Sequence, residues 1–270
     1  PVLTAVATDL TVECDGAGNS ADLEGWLNGN GGAVATDNCG EVTWMHDFMG
    51  LSDGCGATGG AIVTFTATDE CGNASSVTAT FTIEDTTAPA LTAASDMTVE
   101  CDGAGNVAAL NDWLESHGGA MTSDVCGDVV WSNDFAGLSD DCGETGLATV
   151  TFTATDACGN ASFTTATFSI EDTEAPVFTS APADQTSQCA EVDYSYEASD
   201  VCSGVTYSES RNVISEDGCG NYVHEVTVTA TDACGNATNH MFTITVQDTE
   251  APMFVEALPA DMTVECTDVP

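Results

Sequence analysis

The chain almost lacks positive charge. Its 270 residues include no lysine and one arginine, Arg211, against 44 aspartate and glutamate residues, so the formal net charge is −43. Without basic side chains it cannot neutralise the phosphates of a nucleic acid, and an anionic membrane surface would repel it. The absence of lysine also excludes Schiff-base chemistry and lysine–asparagine isopeptide cross-links. We therefore predict no nucleic-acid partner, and we expect bound cations to offset the repulsion between carboxylates.

Large apolar side chains are also scarce. Aromatic residues make up 7% of the chain, and its apolar content is mostly alanine, valine and isoleucine. No apolar run approaches the roughly 20 residues needed to cross a bilayer, so we predict no membrane insertion. The four histidines do not recur at equivalent positions, and near-identical repeats offer no unique pocket for a nucleophile or an acid–base pair. We predict that the protein is not an enzyme.

One segment recurs three times and organises the chain. Its copies share an alternation of apolar with small polar residues, an Asp-x-Cys-Gly-Asn-Ala sequence and a closing Asp-Thr-x-Ala-Pro, and they run over residues 62–89, 149–176 and 226–252. In the second copy, Val150, Phe152 and Ala154 alternate with threonines, which predicts a half-buried strand. The Gly-Asn pair allows the positive φ of a tight turn. Each copy is therefore predicted to be a β-hairpin.

The repeats divide the chain into modules. We expect immunoglobulin-like modules over residues 1–88, 89–175 and 176–251, and the first strand of a fourth over 252–270. Several short strands with turn residues between them indicate an antiparallel sandwich in each module. The predicted fold class is all-β: tandem antiparallel immunoglobulin-like β-sandwich modules, with a short helical insertion in the first two.

The helical insertion is predicted from a Leu-x-x-Trp-Leu pattern in the first two modules. Its apolar residues have the i, i+3, i+4 spacing of a short helix lying on a sheet. They are Leu23, Trp26 and Leu27, then Leu110, Trp113 and Leu114. A tryptophan at this spacing is normally a core residue, and a sugar-stacking platform is the alternative. The third module has a shorter cysteine spacing here and omits the insertion.

Thirteen cysteines follow the repeat, four to each module, with Cys266 at the first position of a fourth set. The unmatched cysteine is expected if the chain is a window of a longer protein. Four cysteines per small module indicate disulfides formed in an oxidising compartment; zinc is the alternative, but no module has a C-x-x-C knuckle. Four cysteines allow three connectivities, and proximity in sequence favours neighbours. The predicted disulfides are Cys14–Cys39, Cys55–Cys71, Cys101–Cys126, Cys142–Cys158, Cys189–Cys202 and Cys219–Cys234.

The sequence Ala-Thr-Asp-x-Cys-Gly-Asn, followed by an alternating strand and Asp-Thr-x-Ala-Pro, resembles HYR-type (hyalin-repeat-like) immunoglobulin-like modules. These occur in tandem in giant secreted surface proteins of bacteria, especially Bacteroidota. The insertion with Asp-Asn-Cys-Gly looks like the array modules of adhesin-like proteins from that phylum, which are typically exported by the type IX system. The resemblance implies an extracellular, cell-surface or secreted β-sandwich array in a stalk or adhesive fibre. A looser likeness is to cadherin repeats, whose acidic exit linkers bind Ca²⁺; here Gln247 replaces the first acid of the third linker.

Ca²⁺ is the predicted cofactor, because it binds about six to eight oxygen ligands and the carboxylates lack basic partners. One candidate site joins Asp85 to the lead-in of the following module, and the other lies in the hairpin turn with Asp69 and Asn73. Asp69 and Asp85 lie at opposite ends of their hairpin, so they need not share one ion. An aspartate that recurs at each module start is either a turn residue or a ligand. The predicted ligands are Asp69, Asn73, Asp85, Asp156, Asn160, Asp172, Asp232, Asn236, Asp248, Asp96 and Asp184.

These features predict a structural extracellular repeat array: a rod or fibre segment of a bacterial surface adhesin or filament, stapled by disulfides and stiffened by Ca²⁺. The alternative is a glycan- or surface-binding adhesive module that uses its tryptophans or acidic loops. The modules repeat their ends and vary their faces, which favours the spacer. The expected partners are neighbouring modules of the same chain, with self-assembly into fibres through exposed strand edges as a further interaction.

Overall fold

A computed structural model of the chain describes residues 1–253, which form two compact units, Pro1–Glu171 and a second that begins at Asp172. The prediction of a fourth-module strand over 252–270, which includes Cys266, lies outside the described residues apart from its first two positions. The module boundaries within residues 1–251 stay a prediction, and the names first, second and third module refer to these ranges.

The first module is built on the predicted hairpin. Its elements are β1 (Val2–Ala5), β2 (Leu10–Glu13), α1 (Ser20–Asn28), a 3₁₀ turn (Asn30–Gly32), β3 (Val34–Thr36), β4 (Thr43–His46), β5 (Gly59–Thr68) and β6 (Ala74–Glu84). β5 and β6 pair antiparallel from Gly59 opposite Ile83 to Thr68 opposite Ala74. β4 joins β5 antiparallel and β2 joins β6 in parallel, giving the strand order β2-β6-β5-β4, while β1 and β3 form a separate two-stranded sheet.

Alternation of side chains decides which face of this sheet is buried. Val63, Phe65 and Ala67 of β5 are fully buried, as is Phe81 of β6, and the intervening positions of both strands are more exposed. Successive strand residues point to opposite faces, so this pattern puts one apolar face against the module core. The Gly72 φ of 85° closes the hairpin turn in a conformation that other residues rarely adopt.

The predicted helix α1 covers the apolar face. Trp26 is 8% exposed, its ring lies edge-on to Phe65 with centroids 5.2 Å apart, and its indole N–H donates to the carbonyl oxygen of Thr8 at 3.0 Å. A buried tryptophan whose N–H is bonded to backbone is a packing residue. The core prediction for this residue is confirmed, and the sugar-stacking alternative is wrong.

Residues 89–171 repeat this arrangement. The elements are β7 (Ala90–Leu91), β8 (Met97–Glu100), α2 (Val107–Glu115), a 3₁₀ turn (His117–Gly119), β9 (Thr122–Ser123), β10 (Val130–Asn133), β11 (Gly146–Thr155) and β12 (Ala161–Glu171). The strand order is β8-β12-β11-β10, with β8 parallel to β12, and β7 pairs with β9. Val150, Phe152 and Ala154 are fully buried, which confirms the alternation predicted for β11. Trp113 donates to Ser95 as Trp26 does to Thr8, at the same distance of 3.0 Å.

The second unit keeps the sheet and omits the helix among its described residues 172–253. Its strands are β13 (Val177–Ser180), β14 (Gln185–Gln188), β15 (Glu197–Ser199), β16 (Thr206–Glu216), β17 (Tyr222–Thr231) and β18 (Ala237–Gln247). The order is β14-β18-β17-β16, again with a parallel outer pair, and β13 pairs with β15. The sheet survives without the insertion, as predicted from the shorter cysteine spacing.

Tyr194 packs against the core of the third module's sheet, and the single arginine holds its hydroxyl group. The Tyr194 ring lies 4.9 Å from that of Phe242, edge-on, and its hydroxyl donates to Glu209 at 2.8 Å. Arg211 forms ion pairs with Glu191 at 2.8 Å and Glu209 at 3.0 Å, and it donates to the Tyr194 hydroxyl at 2.8 Å. The hydrogen bond to Glu209 is the largest of the influences that raise the pKa of this guanidinium. Arg211 is therefore held by its own module.

Each module thus combines a four-stranded sheet, a two-stranded sheet and a core between them. The fold class is confirmed as tandem immunoglobulin-like sandwiches with a helical insertion in the first two modules. One strand pair in each larger sheet is parallel, which the alternation alone did not indicate. None of the helices within residues 1–253 combines the length and the apolar character needed to span a bilayer.

Phe152→Ala should destabilise the second sheet by about 3–5 kcal/mol, because it leaves a cavity under Trp113 in a fully buried position. Hydrogen exchange of the β11 and β12 amides measures this locally. Phe163→Ala is the matched control, since Phe163 lies on the same hairpin but is 73% exposed; its effect should stay within about 0.5 kcal/mol. Similar exchange in the two variants would contradict the assignment of the core face.

Candidate functional site

Two disulfides connect the first module to the second. Cys14 is bonded to Cys126 with a Cα–Cα distance of 6.0 Å, and Cys55 to Cys158 with a Cα–Cα distance of 5.1 Å. Four further cysteines are also disulfide-bonded: Cys101, Cys142, Cys202 and Cys234. Among the described residues the free cysteines are all exposed, and they are Cys39, Cys71, Cys189 and Cys219.

The predicted pairing within modules is wrong. Cys14–Cys39, Cys55–Cys71, Cys101–Cys126, Cys142–Cys158, Cys189–Cys202 and Cys219–Cys234 each include a cysteine that is free or bonded elsewhere. The reason is the length of the hairpin. Cys55 precedes β5 and Cys71 follows it in the turn, and a ten-residue strand spans about 30 Å. A disulfide needs Cα atoms within about 7 Å, so the cysteines at the two ends of a sheet bond to different partners.

Backbone contacts accompany the bridges. The Ala57 N–H donates to the carbonyl oxygen of Cys126 at 2.7 Å, and the Asn160 side-chain amide donates to the carbonyl oxygen of Asp85 at 3.0 Å. Gly56 lies so close that an added Cβ would stand 2.2 Å from the Cys126 oxygen, and its φ is +57°. This approach requires glycine, because any side chain would collide with the backbone of the second module.

Two carboxylates meet beside the first bridge. Ligand atoms of Asp85, Asp124 and Cys126 all lie within 4.8 Å of one another. The sulfur of Cys126 belongs to a disulfide, so the oxygens are the available ligand atoms. Partial burial is the largest influence on the pKa of Asp85, and it raises that pKa. The hydrogen bond from the Thr87 amide lowers it, but the negative charges nearby raise it further; these belong to Asp124, Asp156 and Glu13. The cluster is therefore a site of repulsion between acidic groups that a cation would relieve.

The second module's hairpin turn belongs to the same site. Asp156 accepts hydrogen bonds from the Cys158 N–H at 2.8 Å, the Asn160 N–H at 2.9 Å and the Asn160 side-chain amide at 2.8 Å. Burial alone would raise the pKa of Asp156, but these bonds and one from Gly159 outweigh it, so the pKa is lowered. The structure thus brings Asp156 and Asn160 of one module to Asp85 of the module before it. The exit linker thus meets the hairpin turn of the following module, and the lead-in predicted for this site contributes no residue to the cluster.

The second unit contains an equivalent cluster. Ligand atoms of Asp172, Asp200 and Cys202 lie within 4.8 Å of one another. The Asn236 side-chain amide donates to the carbonyl oxygen of Asp172 at 2.9 Å and to the Asp232 carboxylate at 2.9 Å. The predicted ligands Asp172, Asp232 and Asn236 are therefore also brought together.

Two predicted aspartates at module starts have a different role. Asp96 accepts a hydrogen bond from the Thr167 N–H of β12 at 2.7 Å, and Asp184 accepts one from the Thr243 N–H of β18 at 2.7 Å. The bond from Thr243 lowers the pKa of Asp184. Both carboxylates satisfy strand amides and stand outside the two clusters of residues 1–253. Of the two interpretations of this recurring aspartate, the contacts favour the turn residue.

The remaining predicted ligands lie in turns of their own modules. Asp69 accepts bonds from the Cys71 and Asn73 N–H groups, each at 2.9 Å, and from the Asn73 side-chain amide at 2.8 Å. Asp248 accepts a bond from the Glu250 N–H at 3.1 Å. Within residues 1–253 neither aspartate is part of a cluster like that at Asp85.

Sequence reasoning missed Asp124 and Asp200 as members of the clusters. Each stands two residues before a cysteine, and the N–H of that cysteine donates to it at 2.8 Å. The same Asp-x-Cys spacing occurs in the hairpin turn, where the aspartate was predicted as a ligand. The repeated spacing was the signal that could have identified them.

No protein-family model matches the chain, and no curated protein matches it. Among solved structures it is similar to mouse cadherin-23 repeats EC22–24, at 11% identity and a TM-score of 0.31, over 92% of this chain and 99% of that one. It is also similar to Drosophila N-cadherin EC1–4, at 10% identity and a TM-score of 0.28, over 80% and 68%. For the protocadherin γB4 extracellular domain the identity is 14% and the TM-score 0.30, over 70% of this chain and 38% of that one. Scores of this size carry no conclusion about ions, partners or activity.

Replacing both Cys14 and Cys126 by serine should lower the stability of residues 1–171 by about 2–4 kcal/mol, the usual effect of one disulfide. The double variant of the free, exposed Cys39 and Cys71 is the control, and it should unfold like the parent chain. Urea unfolding without reductant compares the two. Equal midpoints would contradict the bond between Cys14 and Cys126.

Asp85→Asn should raise the melting temperature at pH 7 in a chelator. The folded-state pKa of Asp85 is raised, so its ionised form destabilises the fold, and this loss appears as pH rises through the folded-state value. Near pH 3, below the ordinary range, the variant and the parent should melt together. Asp53→Asn, in an exposed loop, removes the same charge and controls for net charge. An equal gain from both variants, or a gain that persists near pH 3, would contradict this account.

Proposed function

We propose that the protein is a structural extracellular repeat segment, a rod or fibre element whose modules are joined by disulfides and stiffened by Ca²⁺. The observation that carries the proposal is the pair of bridges Cys14–Cys126 and Cys55–Cys158, which link successive modules. Cross-links of this kind restrict the motion of one module against the next, and an isolated binding domain does not need them.

The donor set beside the bridge fits Ca²⁺. Asp85 and Asp124 offer carboxylate oxygens, with the acidic Asp156 and Glu13 near enough to raise the pKa of Asp85. Ca²⁺ prefers oxygen ligands in flexible geometry, and the chain lacks lysine to neutralise these charges. Arg211 is engaged by Glu191 and Glu209 of the third module. The residues that would hold the ion come from the exit linker of one module and two loops of the next.

The alternative adhesive function has less support in the contacts. Trp26 and Trp113 are 8% and 5% exposed, so their faces are not available for stacking on a sugar. A spacer needs equivalent ends on each module, and the recurrence of the cluster at Asp172 and Asp200 supplies that.

Location and origin follow from the chemistry and the sequence resemblance. Disulfides persist in oxidising compartments, which supports an extracellular position. The resemblance to HYR-type modules of giant Bacteroidota surface proteins supports a bacterial origin and type IX export. We include these in the proposal, together with the function of the longer assembly as a stalk or filament.

The proposal is tested by melting the chain while Ca²⁺ is titrated from a chelator, with sodium chloride adjusted to constant ionic strength. When Ca²⁺ is present at about 100 times its dissociation constant, each occupied site should raise the free energy of unfolding by about 2.7 kcal/mol. A fourfold variant replaces the aspartates of both clusters by asparagine. Its melting temperature should no longer rise with Ca²⁺; the replaced residues are Asp85, Asp124, Asp172 and Asp200.

A control variant that combines Asp53→Asn, Asp140→Asn, Glu24→Gln and Glu197→Gln removes the same four charges at exposed positions outside the clusters, and it should keep the response to Ca²⁺. A response that survives in the fourfold variant would place the ion elsewhere. A parent chain whose melting temperature does not depend on Ca²⁺ at constant ionic strength would refute the calcium part of the proposal.

A further inference from the structure

Aromatic residues are distributed unevenly between the modules. The four tryptophans all lie in the first two modules, whereas the four tyrosines and the one arginine all lie in the third. The tryptophans are Trp26, Trp44, Trp113 and Trp131, and the tyrosines are Tyr194, Tyr196, Tyr207 and Tyr222. The third module therefore has a set of side chains that the other two modules do not have.

The outer strand β16 is longer than its counterparts. β4 and β10 have four residues each, and β16 has eleven. Each of the three begins opposite the last residue of β5, β11 or β17, which is a threonine, so residues 210–216 extend β16 beyond the shorter strands. Arg211 lies in this extension, opposite the fully buried Val226. Residues directly opposite each other in a strand pair share one face, so Arg211 is on the apolar face of its sheet.

A groove lies between β16 and the segment 191–196. Its volume is about 520 Å³, and Glu209 and Arg211 line it on the strand side. Tyr194 and Tyr196 also line it, and both pack against the module core while remaining partly exposed. The volume falls in the range of about 300–1,000 Å³ that is usual for small-molecule sites. We call this feature the tyrosine groove.

Arg211 holds the polar groups of the tyrosine groove in place. It contacts Glu191, Glu209 and the Tyr194 hydroxyl at 2.8, 3.0 and 2.8 Å. These contacts engage one N–H on each guanidinium nitrogen, and the described residues supply no acceptor for the second N–H of either terminal nitrogen. The side chains of Arg211, Glu191 and Glu209 are 39%, 35% and 28% exposed. Donors and carboxylate acceptors are therefore fixed in position and still accessible.

We propose that the tyrosine groove binds a neutral carbohydrate. The two remaining guanidinium N–H groups can donate to neighbouring sugar hydroxyls, and hydroxyls can donate in turn to Glu191 or Glu209. The partly exposed rings of Tyr194 and Tyr196 offer apolar surface to the C–H face of a sugar ring, and their hydroxyl ends remain polar. A sugar needs both kinds of surface, and the groove presents them side by side.

Charge favours a neutral ligand over a charged one. The chain has a net charge of −43, so it repels anions such as uronic acid polymers. A cation in the groove would meet the positive charge of Arg211, which is already paired with Glu191 and Glu209. An uncharged polyhydroxyl ligand avoids both repulsions. The site lies within one module, so it goes beyond the proposed spacer function and does not depend on it.

The distribution of aromatic residues gives the test its readout. The full 270-residue chain is labelled with carbon-13 tyrosine and nitrogen-15 tryptophan, so tyrosine ring signals report on the third module and indole signals on the first two. NMR follows both during titration with neutral hexasaccharides of glucose, mannose and galactose, and with a galacturonic acid hexasaccharide. We expect at least one neutral probe to give saturable tyrosine shifts with unchanged indole signals. The anionic probe should bind most weakly.

Two substitutions of Arg211 test the polar contacts. Arg211→Lys keeps the charge beside Glu191 and Glu209 but loses the planar fork of donors, so it should melt like the parent. Arg211→Met also removes the charge. Each should weaken binding of the neutral probe at least about tenfold, because hydrogen bonds to a charged group are lost. If the methionine variant melts earlier than the parent, the lysine variant decides.

Phe163→Ala is the matched control. Phe163 is 73% exposed beside a groove of about 540 Å³ in the second module, and none of the residues lining that groove is charged. This variant should bind the neutral probe like the parent chain. Loss of binding in Phe163→Ala, with binding retained by both Arg211 variants, would place the ligand in the second module and overturn the proposal.

Three further results would refute it. They are the absence of saturable tyrosine shifts with every neutral probe, indole shifts as large as the tyrosine shifts, and parent-like affinity in Arg211 variants that melt like the parent. Tighter binding of the galacturonic acid probe than of any neutral probe would refute the ligand class. The calcium response is judged by its own titration, since none of these measurements requires the ion.

Discussion

The fold depends on covalent bonds that cross from one module to the next. Each module has fewer than 90 residues, and a domain of this size buries a smaller share of its surface than a large domain does. The first module relies on Phe65 and Phe81, and its core cluster also includes Cys126, a residue of the second module. Its apolar interior is therefore completed by its neighbour. Bridges at this position fix the contact that completes the core, so the stability of the first module is coupled to the presence of the second.

A chain with one arginine has too few basic groups to pair with most of its carboxylates, and backbone amides take that role. Asp15, Asp69, Asp156 and Asp217 each accept the N–H groups of their own turn, and the pKa of each is lowered. A carboxylate that accepts several backbone N–H groups is stabilised in its charged form. Asp85 differs from them, since partial burial and then its acidic neighbours raise its pKa. The direction of the pKa shift therefore distinguishes Asp85, a candidate ligand, from carboxylates that only accept the amides of their own turn.

The sequence predicted what depends on local periodicity. Alternation identified the buried face of β11, and the Leu-x-x-Trp-Leu pattern identified α2, because strand and helix each impose a fixed spacing on apolar residues.

Disulfide partners could not be predicted in the same way. The cysteine spacing is the same whether a bridge stays within a module or crosses to the next, and proximity in sequence gave the wrong choice. The hairpin-length argument that separated Asp69 from Asp85 applies equally to Cys55 and Cys71. The Asp-x-Cys spacing marks Asp124 as a turn acid, but its neighbour Asp85 lies about 40 residues away in the chain, and no local pattern reports that contact.

The positions of the bridges have a mechanical consequence. A pull that separates residues 1–88 from residues 89–171 is opposed by the backbone at Asp85 and by two sulfur bridges, so the load is shared among three covalent paths. Cys14 and Cys55 lie at the sheet end from which the linker leaves, so tension enters the second module without first peeling the strands between them. Separation of the two modules at this joint is therefore limited by covalent bond strength.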